Sequence, residues 1–302
     1  MYHKESYRKH GEWYNKHFPT EESKAKHIQK IKSTDENNVS NWLQNIFFSC
    51  LKPLTKSPNQ RWLTVGDAYG LDAYHILSHK DQEAHASDLN SDFLRIAKQE
   101  GVITDYSSEN AEMLSFEDET FDYVLCKESY HHFPRPYAAL YEMIRVSKKG
   151  IVIIEPQDPI SKMPFLLFMT NLFTVIHSGL ANKFWKNRFS YEPVGNFVYK
   201  VSEREFEKFA AALNCPLIAF KGINPNFYYP GAENTKAKLS DSKFFKIKLK
   251  RGILDFLVKM KFIPSQVLCT VVFKSTPEAS TLKDLKISGY KIVHIPPNPY
   301  LG

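Results

Sequence analysis

A short loop that begins and ends with glycine is the first segment whose residue types could bind a ligand. It reads Gly66-Asp67-Ala68-Tyr69-Gly70 and stands between an apolar run typical of a buried strand and a segment typical of a helix. Glycine allows the backbone to turn sharply there and to approach a ligand closely. The loop lacks the dinucleotide-binding fingerprint, because Ala68 and Leu71 occupy the places of its second and third glycines. No P-loop lysine follows, which disfavours a nucleoside triphosphate site.

An acidic residue follows the next predicted strand. Asp88 stands 18 residues after Gly70. A carboxylate at this place in an α/β sheet can accept hydrogen bonds from both hydroxyls of a ribose. The alternative is that Asp88 caps a helix that starts near Ser91. Its position fits both interpretations equally well.

Two adjacent histidines follow the strand predicted at 121–126. His131 and His132 fall where the carboxyl ends of strands in an open α/β sheet border a ligand crevice. Imidazole exchanges protons near neutral pH, so either side chain could serve as a general base, with His131 the first choice. Glu128 and Tyr130 are candidates for contact with the substrate. The alternative is that one histidine only packs or bonds to the backbone. No carboxylate stands at a spacing that predicts a metal site.

Apolar runs and helical segments alternate around these residues. Buried strands are predicted at 62–65, 84–87, 121–126 and 151–154, and helices at 72–78, from 91 onward and at 136–146. This alternation predicts a mostly parallel sheet with helices on both faces.

The second half of the chain is less regular. Ser202 and Glu205 form a capping box that begins a helix, and Val267–Phe273 predicts another buried strand. The apolar run 164–176 is too short to span a bilayer and predicts a buried or lid helix. Residues 231–264 form an insertion rich in lysine.

The segment from about Arg61 to Pro156, roughly a third of the chain, resembles the class I S-adenosylmethionine-dependent methyltransferases. It looks closest to the branch with ubiquinone-type and many small-molecule methyltransferases. The resemblance is carried by the order and spacing of VGDAYG, ASDLNSDFLRIAKQEG, NAEMLSFEDETFDYVLCKESYHHF and EMIRVSKKGIVIIEP. Thr64 and Ala68 depart from the family pattern, which usually has an acidic residue and a glycine there.

The resemblance implies an α/β fold with a Rossmann-like, mostly parallel seven-stranded sheet and helices on both faces. Residues 1–60 would form an N-terminal helical lid region, 61–156 the half that binds S-adenosylmethionine, and 157–302 the acceptor-side half. Insertions at 157–200 and 222–264 would form a helical and irregular acceptor lid. We expect these parts to make one integrated domain.

The resemblance also implies which residues bind the cofactor. The loop at 66–70 would wrap its methionine part, Asp88 would bind the ribose, and Leu89 would lie beside the adenine. Asn110 and Ala111 would meet the adenine edge. The expected contacts are Gly66, Asp67, Ala68, Tyr69, Gly70, Asp88, Leu89, Asn110, Ala111, Glu112, Cys126 and Lys127.

Three further residues are expected on the acceptor side. Cys126 and Lys127 would border the cofactor and face the acceptor. Tyr14 would belong to a lid over the cavity and contact the substrate, the alternative being that its helix only packs on the sheet.

The charge distribution bears on the acceptor. The net charge is +7, but residues 1–60 carry 10 basic and 6 acidic side chains, residues 61–155 carry 9 and 17, and residues 156–302 carry 21 and 10. Basic and aromatic residues on the acceptor side suit a small polar or anionic molecule, such as a sugar or sugar conjugate, methylated on oxygen or nitrogen. Nucleic acid is disfavoured, because no Asn/Asp-Pro-Pro-aromatic motif follows the strand at 121–126.

Two alternatives stay open. The apolar run 164–176 and the basic segment 183–188 also suit a lipid-like or quinone precursor methylated at a membrane surface, with peripheral membrane contact. Thr64 and Ala68 are the sequence support for a non-catalytic binding protein that keeps the fold. The lid segments and the lysine insertion could equally form a subunit interface.

The start of the chain and its cysteines bear on the compartment. The first residues lack the apolar core of a secretory signal. Cys50, Cys126, Cys215 and Cys269 are scattered, with no CxxC pair, and are read as reduced thiols. These features predict a cytoplasmic protein.

Overall fold

The computed structural model describes residues 2–32, 37–185, 188–192 and 196–300. The helices in these ranges are α1 Tyr2–His17, α2 Glu21–Lys32, α3 Val39–Phe48, α4 Lys52–Thr55, α5 Leu71–Leu77, α6 Asp92–Gln99, α7 Pro136–Val146, α8 Pro164–Ile176, α9 Ser178–Phe184, α10 Glu203–Ala212, α11 Ser242–Lys259 and α12 Ala279–Ile287. The strands are β1 Gln60–Val65, β2 Gln82–Asp88, β3 Asp105–Ser108, β4 Phe121–Lys127, β5 Ser147–Pro156, β6 Leu217–Ile223, β7 Val267–Phe273 and β8 Lys291–His294.

The strands form one sheet in the order β3-β2-β1-β4-β5-β7-β6-β8. The first five are parallel, whereas β7 runs antiparallel to both β5 and β6. The predicted α/β architecture is confirmed, but the sheet has eight strands rather than seven. The additional strand, β8, pairs antiparallel with the outer edge of β6. Only Ile292 and Val293 of its four residues are apolar, which is too short for the apolar run that indicates a strand.

Both faces of the sheet are covered, and a hydrophobic core lies on each side. Successive residues of β1 alternate between them: Trp62 belongs to one core cluster and Leu63 to the other. This alternation follows from the two-residue period of a strand. The capping box at Ser202 is confirmed, since its hydroxyl accepts the Glu205 N–H and the Glu205 carboxylate accepts the Ser202 N–H.

Helix α8 excludes one of the two alternatives predicted for its segment, the buried helix, and leaves the lid helix open. The run 164–176 is helical, but it is not buried: Phe165 and Val175 are 71% and 87% exposed, and Thr170 is its one buried residue. The apolar sequence predicts a helix here, but it does not predict whether other parts of the chain bury that helix. In the part of the chain that the structure describes, no helix combines the length and the apolar character needed to cross a bilayer.

The carboxyl edge of the sheet positions the site. Strands β1, β2, β4 and β5 are parallel, so the loops that follow them meet along one edge. The N-terminal helices reach this edge too. The ammonium of Lys24 in α2 lies 2.7 Å from the carboxylate of Asp92 at the start of α6, and Tyr14 of α1 packs edge-on against Phe93. Helix α1 thereby becomes a wall of the space above the strand ends.

Candidate cofactor and acceptor site

A cavity of about 720 Å³ lies at the carboxyl edge of the sheet, between the strand-end loops and α1. Most of the residues predicted to bind the cofactor or the acceptor line it. They are Tyr14, Gly66, Asp67, Ala68, Tyr69, Asp88, Leu89, Asn110, Ala111, Glu112, Lys127, Glu128 and His132. Four others, Gly70, Cys126, Tyr130 and His131, do not line it. The fold therefore brings the separate sequence motifs together around one space.

Gly66 follows β1 in a conformation that other residues rarely adopt. Its φ is +73°, and a Cβ built there would lie 2.5 Å from the Cβ of Ser129. The Ser129 hydroxyl donates to the Gly66 carbonyl at 2.7 Å. Gly66 thus allows the β1 loop to pack closely on the turn after β4. Gly70, with φ +74°, precedes α5 and packs against Ile103 rather than facing the cavity.

We expect Gly66→Ala to destabilise the protein by about 2–3 kcal/mol, because it adds a left-handed backbone penalty to a steric overlap with Ser129. Denaturant unfolding would measure the change. The matched control is Gly101→Ala, which carries the same backbone penalty at φ +66° but has open space around the added methyl. Equal losses at the two sites would contradict the close packing of Gly66 on Ser129.

The carboxylate of Asp67 holds the loop in shape. It accepts hydrogen bonds from the Ala73 N–H at 2.9 Å and from the Thr64 hydroxyl at 2.9 Å. Burial raises the pKa of Asp67. Thr64, which departs from the family pattern, therefore supports an acidic residue placed three positions later. Ala68 is not among the residues with positive φ, so its methyl group adds no backbone strain.

Asp88 ends β2 at the cavity wall. One of its carboxylate oxygens accepts the Asn90 N–H at 2.9 Å. Burial raises the pKa of Asp88 to about 7. Helix α6 begins at Asp92 with no side-chain cap from Ser91, so the hydrogen bond of Asp88 shapes the turn before that helix. The carboxylate also lines the cavity, where it is available to a ligand.

The segment after β3 is held by its own polar groups. The side-chain oxygen of Asn110 accepts the Glu112 N–H at 3.0 Å. The buried carboxylate of Glu112 accepts two hydrogen bonds from Arg135, one from its N–H at 2.7 Å and one from its guanidinium at 2.6 Å. Ala111 lies between them with little exposure. Glu112 therefore anchors the loop before α7 as well as lining the cavity.

Two neighbours at the end of β4 have different surroundings. Cys126 is fully buried in the core cluster, so the expectation that it borders the cofactor is not supported by its position. Lys127 points to the opposite side, because side chains alternate along a strand. Its ammonium lies 3.2 Å from the buried Asp72 carboxylate and within 5.4 Å of the ring centroids of Phe47 and Phe48.

His131 is part of a buried ion pair. Its Nδ1 lies 2.5 Å from the carboxylate of Glu155, which is fully buried at the end of β5. The other oxygen of Glu155 accepts the N–H groups of Ser129 at 2.8 Å and Tyr130 at 2.7 Å. Burial acts to lower the pKa of His131, but the charge of Glu155 and the hydrogen bonds to Glu155 and Glu192 raise it to about 10. His131 is therefore protonated near neutral pH and lacks a free lone pair, which disfavours it as the base.

His132 is the histidine that reaches the cavity. Its Nδ1 lies 2.6 Å from the carboxylate of Glu192. Burial acts to raise the pKa of Glu192, but its contacts with His131 and His132 outweigh burial and hold the pKa well below its usual range. His10 of α1 packs edge-on against His132, and burial lowers the pKa of His10 to about 4, so it is neutral.

Asn196 connects these groups. Its amide nitrogen donates to the His132 carbonyl at 2.8 Å and to His10 Nε2 at 2.5 Å. No local motif marks Asn196, Glu192 and His10, so the sequence alone did not predict them. They lie 64, 60 and 122 residues from His132 in the chain, and only the folded backbone brings them together.

His10, His132 and Glu192 also place one potential metal-ligand atom each within 4.8 Å of one another. Two imidazoles and a carboxylate form a donor set that suits zinc. However, Asn196 already occupies the Nε2 lone pair of His10, and the His131 imidazolium lies 3.6 Å from Glu192. The contacts therefore favour a proton-handling group.

No described aromatic residue of the acceptor-side half, 157–302, lines this cavity. Phe184 and Trp185 instead line a second cavity of about 500 Å³, together with residues 264–266. Opposite the strand-end loops, the main cavity is lined by α1 and by the turn after β4, through Tyr7, His10, Tyr14 and His132.

Comparisons with known proteins match the same segment. Residues 63–154 match the family model described as a methyltransferase domain. The chain is 33% identical over 115 residues to the ubiquinone/menaquinone biosynthesis C-methyltransferase UbiE of Bartonella quintana. The aligned segment covers 35% of this chain and 44% of that protein. The chain therefore spans less than half the length of this curated relative.

Solved structures with similar backbones share little sequence with the chain. The YcgJ protein from Bacillus subtilis is 18% identical, with 76% of this chain and 100% of that chain covered and a TM-score of 0.46. The 1,6-didemethyltoxoflavin-N1-methyltransferase of Burkholderia thailandensis, solved with S-adenosylhomocysteine bound, is 12% identical, with 78% of each chain covered and a TM-score of 0.47.

The lining of the main cavity fits S-adenosylmethionine, which carries a cationic sulfonium and an ammonium group. Among the described lining residues Lys127 is the one lysine or arginine, and it is paired with Asp72. The carboxyl-bearing residues are Asp67, Asp72, Asp88, Asp92, Glu109, Glu112 and Glu128. This excess of carboxylates favours a cationic ligand, and Asp88 ends β2 where a ribose is bound in sheets of this kind. Residues 63–154 of this chain match the methyltransferase domain family, and the cavity that they border fits S-adenosylmethionine as the cofactor.

Proposed function

We propose that this chain transfers a methyl group from S-adenosylmethionine to an oxygen or nitrogen of a small polar molecule. The observation that carries the proposal is the position of His132. A histidine paired with a carboxylate lines the same cavity as the cofactor loops after β1, β2 and β3. This arrangement combines a methyl-donor site with a group that can accept a proton.

The residues divide the work. Bound S-adenosylmethionine supplies a methyl group activated by a positively charged sulphur. Asp88 binds the ribose hydroxyls, and α1 with Tyr14 excludes water from the cavity. His132 accepts the proton that the acceptor hydroxyl or amine loses, and Glu192 balances the positive charge that forms on the imidazole. His131, fixed as an imidazolium by Glu155, holds the turn in place.

The lining residues favour a polar, uncharged acceptor over an anionic one, because carboxylates outnumber cationic side chains there. A sugar or sugar conjugate with several hydroxyls fits this environment, since carboxylates and imidazoles accept hydrogen bonds from hydroxyls.

A panel of acceptors tests the proposal. Purified protein is incubated with S-adenosylmethionine and sugars, phenolic acids or amines, and S-adenosylhomocysteine is measured over time. We expect turnover with at least one polyhydroxyl or amine acceptor. If the protein binds the cofactor but no acceptor raises product above background, the non-catalytic interpretation replaces this one.

A second candidate is a lipid-like or quinone precursor. The exposed apolar face of α8 favours it, as does the similarity to UbiE, whose name gives it a role in ubiquinone and menaquinone biosynthesis. The same assay with a quinone precursor in detergent separates the candidates. Turnover with the quinone precursor and none with sugars would select the second.

A further inference from the structure

Helix α11 carries an apolar stripe that no described residue covers. The stripe comprises Phe245, Leu249, Ile253, Phe256 and the C-cap residue Met260, which recur every three or four residues and so share one face. Their exposures lie between 51% and 60%. The opposite face is anchored, because Phe244 is buried and packs edge-on against Trp42 of α3, with ring centroids 5.1 Å apart.

Basic residues flank the stripe. Helix α11 contains six of them, and Asp255 is its one acidic residue. Lys246, Lys248, Lys250 and Lys259 are exposed. A helix with an apolar stripe bordered by lysines suits the interface of an anionic bilayer. Its apolar side chains enter the headgroup region, and its ammonium groups extend to the lipid phosphates.

The helix leaves the sheet at the edge that holds the cavity. It connects β6 to β7, and β6 runs in the same direction as β5 because both are antiparallel to β7. Helix α3 links α11 to the cavity, since Trp42 contacts α11 while Gln44 lines the cavity. The apolar helix α8 follows β5 at the same edge.

We propose that α11 docks this protein on an anionic lipid bilayer. Charge selects this partner. A second copy of the chain would oppose two strongly basic helices, whose repulsion disfavours that contact, and a nucleic acid would leave the apolar stripe uncovered. The docking goes beyond the proposed methyl transfer. It would bring the active cavity close to acceptors that are held at a membrane. It can be measured without cofactor or acceptor.

The test is co-sedimentation of the full chain with vesicles of phosphatidylcholine, with and without phosphatidylglycerol. We expect binding only to the anionic vesicles, and weaker binding at high salt. Leu249→Glu/Phe256→Glu should weaken it at least about tenfold by removing apolar contact, and Lys246→Glu/Lys250→Glu roughly thirtyfold or more. All four side chains are exposed, so the fold should survive.

The matched control is Lys283→Glu/Lys286→Glu on α12. It changes the net charge equally at two exposed lysines of a helix that follows β7 at the opposite edge of the sheet. We expect it to bind like the native chain. Failure of the native chain to bind anionic vesicles, or equal losses in the α11 and α12 charge variants, would overturn the proposal. So would a stripe variant that binds vesicles normally but changes the oligomeric state.

Discussion

Replacing Glu155 with glutamine is expected to destabilise the protein by about 3–5 kcal/mol, because it removes the nearer and fully buried carboxylate of the His131 imidazolium. Glu155 is fully buried and also accepts the N–H groups that start the turn at Ser129 and Tyr130. Chemical denaturation measures the loss. Glu117→Gln is the matched control: Glu117 is exposed, and we expect a change within about 0.5 kcal/mol.

The same pair gives a pH dependence of stability. The pKa of His131 is raised to about 10 in the folded protein, from an ordinary value of about 6.5. The stabilisation is therefore complete below about pH 6.5 and is lost as the pH rises toward 10, with a slope of at most about 1.4 kcal/mol per pH unit. We expect Glu155→Gln to reduce this slope. An unchanged slope would show that the ion pair between His131 and Glu155 does not cause the pH dependence of stability.

His132→Gln is expected to lower kcat by about 10²–10⁴-fold with the acceptor that the panel identifies, because the variant removes the proton acceptor. KM for S-adenosylmethionine should change little, since we propose His132 as a contact of the acceptor and not of the cofactor. The matched control is His294→Gln at the exposed end of β8, which should keep full activity. A His132 variant with nearly native kcat would exclude this histidine as the base.

The variant Glu192→Gln tests whether Glu192 assists His132 as a base or only stabilises the fold. The groups that face His132 are Glu192, the His131 imidazolium and the neutral His10. Without the carboxylate, the imidazolium that forms on His132 during proton transfer loses its counter-ion, so kcat should fall while KM for S-adenosylmethionine stays near the native value. An unchanged kcat with a raised KM would indicate a structural role. Loss of activity with chelators that metal ions restore would instead identify a metal site at His10, His132 and Glu192.

The sequence correctly predicted those helices and strands that are marked by residues within the element itself. Helix α7 and strand β7 have the predicted bounds, because a proline start and a continuous apolar run mark them. The loops that line the main cavity were predicted for the same reason, since each follows a recognisable strand. Helix α11 was missed as an element, because its alternating lysines and apolar residues were taken only as an insertion rich in lysine.

What the sequence could not provide depends on long-range geometry. The surroundings of Cys126 and Lys127 depend on which face of the sheet each meets, and adjacent strand residues differ completely in this respect. Glu192 reaches His132 only because the chain returns across the carboxyl edge after α9. His131 was the preferred base, but its burial beside Glu155 could not be read from two adjacent histidines. The exposure of α8 depends on which other elements pack against it in the folded chain.

The most direct test of the central claim is a calorimetric titration of the purified protein with S-adenosylmethionine and S-adenosylhomocysteine, with Asp88→Ala measured alongside. We expect one binding site for each ligand and affinity at least about tenfold weaker in the variant, because charge-assisted hydrogen bonds to the ribose are lost. No heat of binding with either ligand, or equal affinities in the native chain and Asp88→Ala, would contradict the assignment of this cavity to the cofactor.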